Sequence, residues 1–440
     1  KMAANPTSYL PTGLRSARSP IFLSFGVQDS ADTLLSVQIT MYIFAGDSNS
    51  TPASESYYIS KNAVNNQVVV EVSDLIREVI QPSFSKDSVT TISESTSGES
   101  VWCKMEIAGT WLSYPSSTVV ADTLVDAHSF LVTDGYDNYT EQATSNVAQY
   151  RYLTSTATPY STNTSVTSRL LADRTYQVYE SFNQSLPIYY DDLANVVGVE
   201  YEINGASYYY EISDFITGGY TSTQSTRKIV YLPFGVPNIT SFIGVTPIDS
   251  YVVKIVTADE FEEYVERIAA AGGTIEGEVC LADAIVALGG VIYDPYNVDV
   301  VCEPKYTPVQ VEFTNKEGVI DSLTFFKRSN RTGNFTNQSY MPQISPDAVT
   351  PIDLTKPQYK QFLVNSTETL TLNTGWVEQS YDEVIRQLLL SERVIIYDNG
   401  TMIATNPQRG GVTYQKEIND KTINYTLSFD IAYNQLNNIR

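Results

Sequence analysis

Asn424-Tyr-Thr-Leu-Ser-Phe-Asp-Ile-Ala-Tyr433 alternates polar and apolar residues, unbroken as far as Ile431. Tyr425, Leu427, Phe429, Ile431 and Tyr433 fall on one face of an extended chain, and Asn424, Thr426, Ser428 and Asp430 fall on the other. A period of two predicts a half-buried β-strand. The same period runs through Leu34–Phe44, where Leu35, Val37, Ile39, Met41 and Ile43 share a face that is expected to be buried. Strand-like runs recur at 21–25, 57–59, 68–72 and 101–107, with turn residues at Gly46–Ser50 and Asn419-Asp420. The 32 tyrosines set against one histidine fit strands and contact surfaces better than a helical bundle. The expected fold class is mainly β: several β-sandwich-like modules, a small αα-hairpin insertion, and a C-terminal β-rich module containing one helix.

Residues 1–20 carry Pro6, Pro11, Gly13 and Pro20 with little periodicity, which predicts an extended N-terminal arm lying on a neighbour. Residues 21–133 read as a β-sandwich module with a short helix, capped by Ser73 or Asp74 and running to Ile80 before Pro82. Residues 134–300 read as a second β module with an αα-hairpin at 257–290. There Thr257-Ala-Asp-Glu260 forms a capping box, Phe261, Tyr264, Val265 and Ile268 follow at helical spacing, and Gly272-Gly273 and Gly289-Gly290 end the two helices. Residues 301–440 form the last module, with a second capping box at Ser380-Tyr-Asp-Glu383 ahead of Val384, Ile385, Leu388 and Leu389. Glu71-Val-Ser-Asp-Leu-Ile76 recurs as Glu211-Ile-Ser-Asp-Phe-Ile216, an echo that two repeated strand-then-helix units would explain. Thr140–Ser168, rich in Ser, Thr and Asn, reads as an exposed excursion.

A chain of 440 residues with 50 acids against 27 bases has a formal charge of −23, so a phosphate backbone repels it and nucleic acid is not an expected partner. No run approaches the roughly 18 apolar residues of a spanning helix, so membrane insertion is not expected. Cys103, Cys280 and Cys302 lack neighbouring His or Cys at metal-ligand spacing and read as small buried apolar residues. His128 has no nucleophile elbow to partner it. Asp191-Asp192 and Glu262-Glu263 are acid pairs of the kind glycoside hydrolysis uses, but they read as solvated charge in so acidic a chain. Asp134-Gly-Tyr-Asp-Asn-Tyr139 offers oxygens to Ca²⁺ but lacks the EF-hand spacing, and a plain turn is the expectation. Tyr57-Tyr58, Tyr189-Tyr190 and Tyr208-Tyr209-Tyr210 are expected in the core or at subunit contacts rather than on sugars. Asn-x-Ser/Thr triplets at Asn138, Asn238, Asn334 and Asn365 suit a secreted glycoprotein, but another at Asn424 lies within the terminal strand. No catalytic, cofactor-binding or metal-ligating residue is assigned, and no cofactor is expected.

Cys302-Glu-Pro-Lys-Tyr-Thr-Pro308, the Asn315-Lys-Glu-Gly318 turn, Leu323-Thr-Phe-Phe-Lys-Arg-Ser329, Leu372-Asn-Thr-Gly-Trp-Val377, Leu388-Leu-Leu-Ser-Glu392 and Asn419-Asp-Lys-Thr-Ile-Asn-Tyr-Thr426 follow one another in the last third. This series resembles virion structural proteins, tail or baseplate type, of tailed bacteriophages. The likeness covers residues 301–440 and, more loosely, 19–84. It implies a non-enzymatic structural protein that assembles with itself and with other virion proteins and is found in the virion after assembly in the host cytoplasm. A secreted or cell-surface β-sandwich adhesin or carbohydrate-binding protein is the alternative reading.

Overall fold

The structure, a computed structural model, describes residues 7–9, 14–26, 31–45, 53–81, 90–95, 98–121, 125–136, 170–190, 196–216, 228–258, 291–292, 295–302, 305–342, 355, 357–398, 400–410 and 422–436. It is mainly β and contains several sheets. The chain divides into two compact units: Lys1–Cys302 with Thr314–Asp321, and Glu303–Phe313 with Ser322–Arg440.

The first unit begins with β1 (Thr7–Tyr9), β2 (Leu14–Ser16), β3 (Phe22–Gly26), β4 (Thr33–Phe44), β5 (Glu55–Asn62) and β6 (Gln67–Glu71). Helix α1 (Ser73–Arg77), β7 (Ser93–Glu94), β8 (Ser100–Ser113), β9 (Thr118–Ala121) and β10 (Val125–Thr133) follow. One sheet has the order β2-β10-β8-β4-β5, with β9 beside β8, and a second has the order β1-β3-β6. Alternation drives their packing. Val37, Ile39, Met41 and Ile43 of β4 share one core with Leu23, Phe25, Val68 and Val70 of the smaller sheet and with Cys103 and Met105 of β8. Leu35 departs from this pattern. The register against β8 skips it, so the buried position passes to Leu34. A one-residue bulge reverses the inside–outside phase upstream of itself.

The unit continues with β11 (Tyr176–Tyr179), β12 (Ser185–Tyr190), β13 (Val196–Ile203), β14 (Ala206–Glu211), a 3-10 turn (Ile212–Phe215) and β15 (Lys228–Pro233). Next come α2 (Val236–Ile243), β16 (Ser250–Ala258), β17 (Val291–Ile292) and β18 (Tyr296–Val301). The larger sheet has the order β11-β18-β16-β13-β14, with β17 beside β16, and β12-β15-β7 forms the smaller one. Apart from β1 and β7, the strands repeat those of the first sandwich in the same order. In each, the first and last strands of the larger sheet run parallel, β2 with β10 and β11 with β18. Counted from the strand that opens the larger sheet, β2 or β11, the smaller sheet in each pairs the second strand with the fifth, β3 with β6 and β12 with β15, and a helix follows. A larger sheet facing a smaller one with these crossings is the arrangement of immunoglobulin-type sandwiches, a scaffold that carries no particular function.

The two sandwiches share the strand order of their larger sheets, but the sequence echo does not mark matching places in them. Glu71-Val-Ser-Asp-Leu-Ile76 follows β6, whose counterpart is β15. Glu211-Ile-Ser-Asp-Phe-Ile216 follows β14, the counterpart of β5. The true counterpart of α1 is α2, a helix not among those expected. Its start has Gly235 with Pro237 in the first turn, and it ends at Gly244 with φ 85°. The two sandwiches are also not separate modules. Leu14, Phe44, Trp102 and Leu131 of the first lie in one apolar cluster with Leu186, Tyr190, Tyr231 and Val253 of the second, and β7 adds to the second's smaller sheet.

The N-terminal arm needs correction as well. Leu14, Arg15, Ser16 and Ala17 are buried, β2 completes the edge of its own sheet, and β1 pairs with β3. Three-residue strands are too short to display a period, which is why this segment reads as structureless. Two capping expectations also differ. At α1 the cap position is Val72 and the helix ends at Arg77; the Glu71 carboxylate accepts from the Ser73 amide at 2.8 Å and from its hydroxyl. Thr257, expected to cap the αα-hairpin, is a strand residue opposite Val197. The rest of that hairpin, with Cys280 and Glu262-Glu263, lies outside the described residues, as do Thr140–Ser168, Asp191-Asp192, Gly46–Ser50, Asn138 and Asn419-Asp420.

The second unit's sheet draws on β19 (Val309–Thr314), β20 (Ile320–Phe325), β21 (Asn330–Tyr340), β22 (Lys360–Glu378), β23 (Val394–Asp398), β24 (Thr401–Pro407), β25 (Thr422–Ile431) and β26 (Gln435–Leu436). The strand order is β20-β19-β23-β24-β25-β22-β21, with β26 beside β22. Helix α3 (Tyr381–Leu390) buries Tyr381, Val384, Ile385 and Leu388. Ser380 occupies its cap position but makes no capping hydrogen bond. Instead Asp382 in the first turn accepts from the Tyr425 hydroxyl, which ties the helix to β25. Ile423, Tyr425, Leu427 and Phe429 are buried as the alternation predicts, but the strand ends at Ile431 and Tyr433 is exposed.

Candidate functional site

Two features stand out, one inside the first unit and one at the edge of the second unit's sheet. The first is centred on the Asn315-Lys-Glu-Gly318 turn. Asn315 folds the turn on itself: its side-chain oxygen accepts from the amides of Glu317 at 2.9 Å and Val319 at 3.2 Å, and its Nδ2 donates to the Leu170 carbonyl at 2.7 Å. Asp134-Gly135 lies against this turn, backbone to backbone. The Tyr136 amide donates to the Lys316 carbonyl at 2.8 Å, and the Thr133 hydroxyl donates to the Glu317 carbonyl at 2.6 Å. A Cβ on Gly318, whose φ is 77°, meets the Gly135 amide nitrogen at 2.4 Å, and one on Gly135 meets the Lys316 oxygen at 2.6 Å. Glycine is required at both positions by contact, and at Gly318 by backbone conformation as well.

Two ion pairs flank the turn. Arg18 donates Nε and Nη2 to Asp134 at 2.8 and 2.7 Å, a bidentate pair. Both oxygens of the carboxylate considered for Ca²⁺ are thus engaged by a guanidinium. Arg174 donates Nη2 to Asp321 Oδ1 at 2.9 Å and lies 4.7 Å from the Tyr176 ring centroid. The Arg174 and Asp321 side chains are 3% and 1% exposed, so solvent does not screen them.

The second feature is the pair β21–β22. All eleven residues of β21 are exposed, and the strand lies at the sheet's edge. β22 is flanked by β25 over Thr369–Glu378 and by β26 at Asn365 and Ser366; between Lys360 and Val364 only β21 pairs with it among the described residues. The outer part is therefore a two-stranded ribbon, a form that is marginal without further packing. Its register skips Phe362, whose ring packs on Tyr340 with centroids 6.0 Å apart. Phe335 is 75% exposed, Tyr359 62%, Met341 59%, and Tyr340 and Phe362 50% each, so large apolar groups are concentrated on the ribbon with no cover among the described residues.

The other sequence candidates scatter. His128 lies in β10 opposite Met105. Tyr189 and Tyr190 are both buried, whereas Tyr58 is exposed; β12 is covered on both faces, so simple alternation does not apply to it. Tyr201 and Tyr251 are buried and donate to the Pro233 and Phe234 carbonyls, and burial pushes both phenols up. Tyr201 and Tyr251 thus serve as core residues whose hydroxyls find backbone acceptors. No group of three or more metal-ligating side chains occurs among the described residues. Burial also pushes the Cys103 thiol up, while Cys302 is exposed and corrects the expectation that it is buried. Iodoacetamide at mildly alkaline pH is accordingly expected to label Cys302 and leave Cys103 unlabelled until the fold is opened. Peptide mapping by mass spectrometry reads this, and equal labelling of the two in the folded protein would contradict the buried assignment.

No protein-family model matches this chain, and no curated protein does. Among solved structures it is similar to "Crystal structure of CBD12 from CALX1.2" at 9% identity, covering 66% of this chain and 97% of that chain with a TM-score of 0.16.

Proposed function

We propose that this chain is a non-enzymatic structural protein of a tailed-phage virion, placed in the tail or baseplate region, where it assembles with copies of itself and with other virion proteins. The observation that carries this reading is the β21–β22 ribbon, whose edge strand has no further strand beside it among the described residues and whose outer end bears exposed aromatic side chains. An exposed edge is a hazard for a free monomer and an asset for a subunit, because a further strand completes its hydrogen bonds. The fused tandem of sandwiches supports the same role, since two repeats sharing one core act as a spacer of fixed geometry. The motif series from Cys302 to Thr426 supports the phage assignment.

The experiment is to delete the chain's gene from a phage that encodes it and to examine the particles. Particles with a missing or unstable tail component and at least a hundredfold loss of infectivity are expected. His128→Ala, by contrast, should leave infectivity unchanged. Normal, infectious particles without the chain would overturn the proposal, and selective binding of the free chain on a glycan array would favour the carbohydrate-binding alternative.

A further inference from the structure

Charge narrows the choice of partner for the β21 edge. Copies of a chain carrying −23 repel one another over most approaches. From Ser322 to Pro346 there is no acid at all, while Lys327, Arg328 and Arg331 supply positive charge. β5 and β14, which end their own sheets, carry Glu55 and Glu211. β21 bears a single charge, Arg331, already paired with Glu368 at 2.9 Å and Asp398 at 3.2 Å. It also has no lysine or proline of the kind that protects natural edges. Resting on the structural proposal above, we infer that β21 is a seam between two copies of this chain, which pair edge to edge and antiparallel about a two-fold axis at Phe335.

The register follows from the sequence of the strand. Phe335 is the midpoint of the eleven residues, so a two-fold axis there lets the whole strand pair. Phe335 then faces Phe335 of the second copy, Asn334 faces Thr336, Gly333 faces Asn337, Thr332 faces Gln338, and Arg331 faces Ser339. No like charges are opposed, the polar residues form a ladder of amides and hydroxyls, and the one large apolar group in the middle of the strand meets its equal. Shifting the axis toward Asn330 brings the two arginines together and shortens the paired length. An isologous contact of this kind closes on itself as a dimer.

Disulfide trapping tests the register, in the full chain carrying Cys302→Ser. Opposed residues of an antiparallel pair have Cα atoms about 4.5–5.5 Å apart, inside the range a disulfide spans. Phe335→Cys should therefore form a covalent dimer under mild oxidation, at least tenfold more than Arg331→Cys alone. The two copies of the latter position stand eight residues, or roughly 27 Å, apart along the seam. Mixing Arg331→Cys with Ser339→Cys should restore linkage. Phe335→Lys combined with Asn337→Lys changes only exposed residues and should shift the sedimentation mass from dimer to monomer. Equal trapping of Phe335→Cys and Arg331→Cys overturns the seam, and so does a parental chain that stays monomeric at every concentration. If that monomeric chain still enters particles and the lysine variant does not, the ribbon meets a different protein, which defeats this inference while the structural reading stands. If the parental chain is absent from particles, both fail.

Discussion

Asp321→Asn should destabilise the first unit by about 3–5 kcal/mol, the usual cost of removing one partner from a buried ion pair. The size follows from burial: Arg174 is 3% exposed, so its charge remains out of water when the carboxylate is lost. The Tyr176 face at 4.7 Å offsets only part of this. For a unit of this size the loss corresponds to a drop in melting temperature of roughly 10 °C. Trp102 and Trp111 are buried in the first unit and Trp376 is exposed in the second, so the change in tryptophan emission on denaturation reports chiefly on the first. Replacing both partners, Arg174→Met with Asp321→Leu, should recover most of the loss, because apolar groups of similar size carry no desolvation penalty. An Asp321→Asn midpoint equivalent to less than about 0.5 kcal/mol from the parent, the range of ordinary surface changes, would show that the pair is solvated.

What was legible in the sequence was what periodicity encodes. Val37, Ile39, Met41 and Ile43 announce β4, Tyr425, Leu427 and Phe429 announce β25, and both face inward. The failures share a physical cause: they depend on partners distant in the chain. Leu35 lost its buried place to a bulge that only the register against β8 creates. β2 is three residues long and owes its burial to β10 and to the Asp134-Gly135 corner. Helix α2, Val-Pro-Asn-Ile-Thr-Ser-Phe-Ile, is poor in strong helix formers, and its Pro and Gly punctuation was the signal available. The capping boxes at Thr257 and Ser380 match the pattern without the geometry: Thr257 continues a strand, and at α3 the Glu383 carboxylate is taken by Gln387 and Arg386 while Ser380 makes no capping bond. The ribbon was the most hidden element. β21 is polar and exposed throughout, so it has no buried face to betray it, and only its pairing with β22 defines it as a strand. The turn at Asn315–Gly318 is visible in the sequence as a motif, but its contact with Asp134-Gly135 joins residues that no spacing rule connects.

Leu427→Asp should prevent the second unit from folding. Leu427 is 5% exposed and stands opposite Leu372 in the register of β22 with β25, where the facing residue is also buried. A leucine here contributes about 1.5–3 kcal/mol of burial, which the substitution forfeits. An unpaired carboxylate in its place costs several kcal/mol more, or takes up a proton at a similar penalty. Together these approach the 5–15 kcal/mol that typically holds a whole domain. Thr426→Asp is the matched control: the same charge one residue away on the exposed face, where the cost is expected to stay near 0.5 kcal/mol. Amide exchange read by mass spectrometry separates the two cases, because the cross-strand hydrogen bonds of Thr369–Glu378 with Thr422–Ile431 protect those amides only while the sheet exists. Leu427→Asp should abolish protection in both segments and Thr426→Asp should retain it. Protection surviving in Leu427→Asp would mean that this face of β25 is reachable by water, contrary to the alternation from which its burial was first read.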